Sequence, residues 1–287
     1  MLIEATSSRC LPPPTLLGAM LAAMLCAIPA HADESPWSAP SGTAVRLLAG
    51  GSDGARLRGG VEIRLSPGWK TYWRYPGDSG VPPRFNWSGS ENLAGVEVLW
   101  PAPMRFSEGD GAFSIGYKRD VVLPLRITPT DPARPVTLRL DLEYAVCEKI
   151  CQPAHADVTL SLPPGGSALL PAPLATAERA VPVPAGLGAP GATGITAAAL
   201  EQRDGVTTLR IEAKVQNPAG ADLFVEGPNE DWALPLPKRQ AAEPGKAVFL
   251  MPVEGMPKGA DIDTATLRFT LTDGDDAVEV DAGASRR

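Results

Sequence analysis

Val136-Thr137-Leu138-Arg139-Leu140-Asp141-Leu142-Glu143-Tyr144-Ala145-Val146 alternates side chains at period two, and Cys147-Glu148-Lys149-Ile150-Cys151 follows directly. That period belongs to a strand with one buried face. Val136, Leu138, Leu140, Leu142, Tyr144 and Val146 therefore face a core, while Thr137, Arg139, Asp141, Glu143 and Ala145 face away from it. Cys147 continues the second set and is expected to point out of the core. Alternation resumes with Val158, Leu160 and Leu162 against Asp157, Thr159 and Ser161, so another strand begins at once. The two cysteines sit at the connection between these strands.

Four residues of extended chain span about 13 Å, whereas a disulfide holds its Cα atoms within about 7 Å. A bonded pair requires Glu148-Lys149-Ile150 to turn. So short a loop gains little chain-entropy stabilisation from a cross-link, and an exposed pair suits an accessible dithiol that cycles. Two other readings stay open at this point. One is a structural disulfide. The other is a copper(I) or zinc site, because Cys147, Cys151 and His155 form C-x3-C-x3-H, and thiolates with an imidazole suit those ions. Cys151-Gln152-Pro153 is also similar to the pattern of SCO-type copper carriers. Those proteins alternate strands with helices, which this chain does not.

Outward from the pair, Val61-Glu62-Ile63-Arg64-Leu65 and Gly95-Val96-Glu97-Val98-Leu99 read as further strands. Turn signals separate them at Ser66-Pro67-Gly68, Pro76-Gly77-Asp78, Gly109-Asp110-Gly111 and Asp131-Pro132. The pattern predicts an all-β chain whose residues 33–163 form an immunoglobulin-like β-sandwich. Residues 164–192 are rich in Pro, Ala and Gly and read as a linker, with one helical turn near Leu174–Arg179. Strand patterns return at Val206–Ile211, Ala247–Val253 and Thr266–Thr272, so residues 193–287 are expected to form a second small β-domain. That region carries no Cys or His and reads as a structural or docking module.

Composition narrows the function. The 287 residues include 29 Gly and 31 Pro, a content that turns and one linker absorb. A net charge of −7 argues against a nucleic-acid partner held through phosphates. Gly50-Gly51-Ser52-Asp53-Gly54 lacks the Lys and helix of a phosphate loop. Asp275-Asp276 and Glu230-Asp231 read as solvated turns. Trp69, Tyr72, Trp73, Tyr75, Trp87 and Trp100 read mainly as core or corner residues rather than a sugar-binding face.

Residues 1–32 have the pattern of a cleaved signal peptide. Arg9 precedes an apolar run from Leu16 to Ile28, and Ala30 and Ala32 supply small residues before cleavage after Ala32. Cleavage removes Cys10, Cys26 and His31, leaving Cys147, Cys151 and His155 in an exported chain, where disulfides persist.

Several separated motifs then agree in order with one family. Gly68-Trp69-Lys70-Thr71-Tyr72-Trp73-Arg74-Tyr75-Pro76-Gly77-Asp78-Ser79-Gly80 comes first, followed by Pro82 and Trp87. Arg105-Phe106, Gly116-Tyr117, Val122-Leu123-Pro124-Leu125 and Tyr144 to Pro153 follow. From about Ala44 to Leu162 the chain resembles the N-terminal periplasmic domain of the thiol:disulfide interchange protein DsbD, especially its ScsB-like form. The resemblance implies a thiol-disulfide oxidoreductase of the protein-disulfide reductase type, in which Cys147 and Cys151 are the redox pair. Cys151 is then the residue that forms the mixed disulfide with a partner. Tyr72 is the aromatic beside the pair, Glu108 and Asp110 lie in an acidic cap loop, and either Phe106 or Phe113 is the capping aromatic. No cofactor is called for. The implied partners are a membrane-embedded or thioredoxin-like electron donor and oxidised periplasmic clients, with a link to copper tolerance. Because the sequence runs to Arg287 without membrane helices or a thioredoxin-like domain, the donor is expected on a separate protein.

Overall fold

The structure, a computed structural model, describes residues 33–40, 42–240 and 243–286. The signal segment 1–32, its cleavage point, Cys10, Cys26 and His31 lie outside the described residues.

The first ten strands are β1 (Thr43–Asp53), β2 (Arg56–Leu65), β3 (Lys70–Gly77), β4 (Arg84–Asn86), β5 (Leu93–Val98), β6 (Met104–Gly109), β7 (Ala112–Tyr117), β8 (Val121–Pro129), β9 (Val136–Cys147) and β10 (Cys151–Leu162). They form two sheets, ordered β1-β2-β8-β5 and β10-β9-β3-β7-β6, with β4 pairing β9 beside β3. The expected parity of β9 holds: Val136, Leu138, Leu142 and Val146 are fully buried, with Leu140 and Tyr144 close behind. They pack with Val45, Leu47, Val61, Leu123 and Leu125 of the facing sheet in one continuous core. This is the β-sandwich expected from the pattern. As a sheet edge, β10 tolerates Pro153, which has no N–H to donate.

Residues 164–192 do more than tether. They contain the only helix among the described residues, α1 (Ala172–Arg179), with Pro residues at its start. Leu174 and Ala177 turn inward onto Leu48 and Val122, on the outer face of the β1-β2-β8-β5 sheet. Glycines make room for them: a Cβ on Gly60 would lie 3.1 Å from Leu174 Cδ1, and one on Gly50 would lie 3.0 Å from Leu174 Cδ2. Glu178 accepts from Arg58 Nε at 3.0 Å and Arg126 Nη1 at 2.7 Å, locking the helix down. The glycine-rich stretch at Gly50 thus serves close packing.

The remaining strands are β11 (Val183–Pro184), β12 (Gly194–Arg203), β13 (Val206–Lys214), β14 (Asp222–Glu226), β15 (Lys238–Arg239), β16 (Lys246–Pro252), β17 (Leu267–Asp273), β18 (Asp276–Ala282) and β19 (Ser285–Arg286). Their sheets run β11-β18-β17-β14 and β15-β16-β13-β12-β19 and enclose a separate core that includes Leu209, Ile211, Phe249 and Phe269. One strand reaches out of it. Phe224 of β14 is fully buried in the first core, where its ring lies 5.8 Å from that of Trp73.

Candidate functional site

The β9–β10 hairpin places Cys147 directly opposite Cys151. Glu148-Lys149-Ile150 supplies the turn that the spacing required, the Cα atoms stand 4.1 Å apart, and the sulfurs are bonded. The two residues differ sharply in exposure. Cys151 is exposed and follows Ile150, which is 75% exposed, whereas Cys147 is only 1% exposed.

That burial corrects one expectation. Cys147 does leave the main core, as parity required, but it does not reach solvent. It forms a small buried cluster with Tyr72 and Ala145 on the outer face of the sheet. Parity assigns a face, and only the tertiary neighbours decide whether that face is covered.

Tyr72 is the cover. The Tyr72 hydroxyl lies 2.7 Å from Cys147 Sγ and 3.1 Å from Cys151 Sγ. Disulfide sulfurs carry no proton, so the phenol is the donor. Burial, reinforced by the nearby Glu108 carboxylate, pushes the Tyr72 pKa up and keeps that proton in place at neutral pH. Close backbone approach sets the ring. A Cβ on Gly80 would stand 2.7 Å from Tyr72 Cδ1, and one on Gly116 would stand 2.0 Å from the Thr71 carbonyl oxygen. Glycine at both positions lets β7 and the segment after β3 close around β3.

Beside Tyr72 runs a polar lattice. Lys70 stands across from Cys147 in the ladder and donates to Glu108 Oε2 at 2.6 Å. The Ser114 hydroxyl donates to the other Glu108 oxygen. Burial works against the Glu108 carboxylate, but the Lys70 and Ser114 bonds, with the Lys70 and Lys118 charges, hold its pKa below the ordinary value. Phe106, 2% exposed, pairs with Ser114 and so shares this face, with the Lys70 and Lys118 ammonium groups 5.6 and 4.9 Å from its ring centre.

The structure separates the remaining expected residues. Phe113 has the opposite parity and packs against the main core, with the Arg105 guanidinium 5.6 Å from its ring centre. Of the two aromatics, Phe106 is the one on the cysteine face. Asp110 occupies the exposed tip of the β6–β7 turn at a φ of 50°. The contacts that reach the cluster come from Glu108.

His155 corrects the metal reading. It lies four residues beyond Cys151 on the extended β10, about 13 Å away, and its Nε2 is 2.8 Å from Asp141 Oδ1. The alternative Cys147–Cys151–His155 set does not converge here, because His155 lies four residues along an extended strand from the pair. Asp141, His155 and Asp157 lie together on the exposed face instead.

Sequence reasoning passed over Lys70, Ser114, Gly80 and Gly116 as individual contributors. Lys70, Gly80 and Gly116 stand within the motifs of the resemblance, which give them no individual role. A Lys two residues before Tyr72, on the strand beside the cysteines, was the available signal for the Glu108 pairing.

Residues 40–163 match the family model described as the thiol:disulfide interchange protein DsbD, N-terminal, and residues 180–287 match a domain of unknown function, DUF8393. No curated protein matches the chain in sequence. The crystal structure of the N-terminal periplasmic domain of ScsB from Proteus mirabilis superposes with a TM-score of 0.69 at 24% identity. The match covers 89% of this chain and 99% of that one, so the second β-domain is part of a shared architecture. The resemblance read from the motifs therefore stands: residues 40–163 are similar to the N-terminal domain of DsbD, and the two-domain fold is similar to that of the ScsB domain.

Proposed function

We propose that the protein is an exported thiol-disulfide exchange module that passes reducing equivalents to oxidised periplasmic proteins through Cys147 and Cys151. The observation that carries this reading is the asymmetry of the pair, one sulfur exposed at a hairpin tip and its partner buried under a hydrogen-bonding phenol. A cross-link here adds little to a hairpin already closed by the long β9–β10 ladder, which argues against a staple.

The cycle balances as two exchanges. In the reduced module the Cys151 thiolate attacks a client disulfide, forming a mixed disulfide and expelling one client thiolate, which takes a proton. Cys147, as thiolate, then attacks Cys151 Sγ. The mixed bond breaks, the second client thiol leaves, and the Cys147–Cys151 disulfide returns. Two electrons have passed to the client. A donor dithiol of membrane-embedded or thioredoxin-like type reduces the module again by the reverse exchange. Tyr72 donates to the sulfur that leaves, and Glu108, Phe106 and Lys70 keep Tyr72 seated. No helix of the described residues is long and apolar enough to cross a membrane, and we place the mature chain in the periplasm after cleavage at Ala32.

Trapping tests the roles directly. Cys147→Ser in cells is expected to accumulate mixed disulfides on Cys151, while Cys151→Ser yields none. No adduct with either variant, or a reduction potential below about −300 mV, the range of inert structural disulfides, would count against the relay.

A further inference from the structure

The second β-domain grips the two strands that build the cysteine face, and it does so from their other side. On β3, Lys70 and Tyr72 face the disulfide, while the next three residues belong to the domain contact. Trp73 packs on Phe224, and the Tyr75 hydroxyl donates to the Leu234 carbonyl. Arg74 donates from Nε to Glu226 Oε1 at 2.9 Å and from Nη2 to Glu226 Oε2 at 2.8 Å, and also reaches Glu279.

On β6 the same division falls between adjacent residues. Phe106 lies on the cysteine face, and Glu108 binds Lys70 and Ser114. Arg105 points the other way. Its Nε and Nη2 take both Asp222 oxygens at 3.1 and 2.7 Å, and it also donates to the Pro237 and Leu223 carbonyls at 3.1 Å. Asp222, Phe224 and Glu226 all lie on β14, so one short strand meets both β3 and β6. A planar guanidinium fixed by four acceptors has little freedom, and the backbone that carries it is fixed too.

We infer that the second β-domain is a clamp on the redox face. Through β14 it holds β3 and the β6–β7 hairpin in the register that keeps Tyr72 and the Glu108 lattice over Cys147. The assigned role is positional: Arg105, Asp222 and Glu226 touch no sulfur and act through β3 and β6. The clamp acts on the disulfide of the proposed relay, but its test reads burial of a sulfur. A failed relay, with no client reduced, is thus distinguished from a failed clamp, with no change in burial.

The test uses the full mature chain, reduced, with iodoacetamide as probe and each cysteine followed by mass spectrometry. Asp222→Asn is expected to raise Cys147 alkylation at least tenfold while Cys151 changes less than twofold. The double variant Arg105→Gln/Asp222→Asn removes both charges, leaves no unpaired guanidinium, and serves if the single variant does not fold. Ile211→Val, in the second domain's own core, controls for general loosening and is expected to leave both rates within twofold of the parent. An unchanged Cys147 rate in the folded charge variants overturns the clamp. So does an equal rise at both cysteines, or the same rise in Ile211→Val.

Discussion

Both sheets of the first sandwich bury something on their outer faces, and they cover it by opposite means. On the β1-β2-β8-β5 sheet the cover is α1, whose Leu174 and Ala177 sit on Leu48 and Val122 in an apolar contact fastened by Glu178. On the β10-β9-β3-β7-β6 sheet the cover is the Tyr72 ring, hydrogen-bonded to both sulfurs and bordered by the Lys70–Glu108–Ser114 lattice. An apolar cover gains from every methylene it hides and has no reason to leave. The Tyr72 ring is also buried, but the hydroxyl and ion-pair bonds that hold this cover can exchange protein partners for water at smaller net cost than buried methylenes can be exposed. The difference sets an apolar cover over a structural contact against a polar one over the sulfur that the proposed exchange has to reach.

The largest effect is expected at the apolar cover. Leu174 is fully buried, and Leu174→Ala should lower stability by about 2–4 kcal/mol through lost transfer energy and the cavity left over Gly50 and Gly60. Thermal or urea unfolding measures this. The rate of Cys147 alkylation in the folded, reduced variant should match that of the parent. If it rises with the loss of Leu174, the two covers are not independent and the contrast between them fails.

Removing the disulfide should have a smaller effect. For a loop this short, the chain-entropy argument gives about 2 kcal/mol at most. Cys147→Ser/Cys151→Ser should therefore unfold only slightly earlier than the parent in urea. A loss as large as that of Leu174→Ala would make the pair a staple and would remove the functional distinction between the faces.

The sequence made the alternating cores readable because strand parity is local: β9 and β10 follow their expected faces residue by residue. It also placed the turn between the cysteines and a helical turn near Leu174. Other features depended on contacts far along the chain. Cys147 is buried because Tyr72, seated by Gly80 and Gly116, lies across it, and parity carries no information about that. Residues 164–192 read as a tether because Leu174 and Ala177 are too few to mark a face; their partners Leu48 and Val122 lie in other strands. Arg74 and Arg105 lie within the motifs of the resemblance, yet their acceptors Glu226 and Asp222 are more than a hundred positions away. The C-x3-C-x3-H spacing places His155 near the cysteines in sequence, but the extension of β10 carries it away from them in space.

The smallest expected effect is electrostatic and belongs to the polar cover. Glu108 is disfavoured by its burial but held below its ordinary pKa by bonds from Lys70 and Ser114. A carboxylate whose folded pKa is depressed contributes stability that is full above its unfolded value, near 4.3. That contribution is lost as pH falls through the lower folded value. Its side chain is 24% exposed, so the pair contributes about a few tenths of a kcal/mol to 1 kcal/mol. Glu108→Gln should therefore melt slightly below the parent at pH 7, and the two curves should converge as pH falls below the unfolded value and through the lowered folded one, where the parent's carboxylate is protonated as well. The apolar cover supplies the reference: the deficit of Leu174→Ala should persist across that acid range, since no charge is involved in its lost packing. A Glu108→Gln deficit that also persists there would mean that shape, rather than ionisation, holds this cover closed.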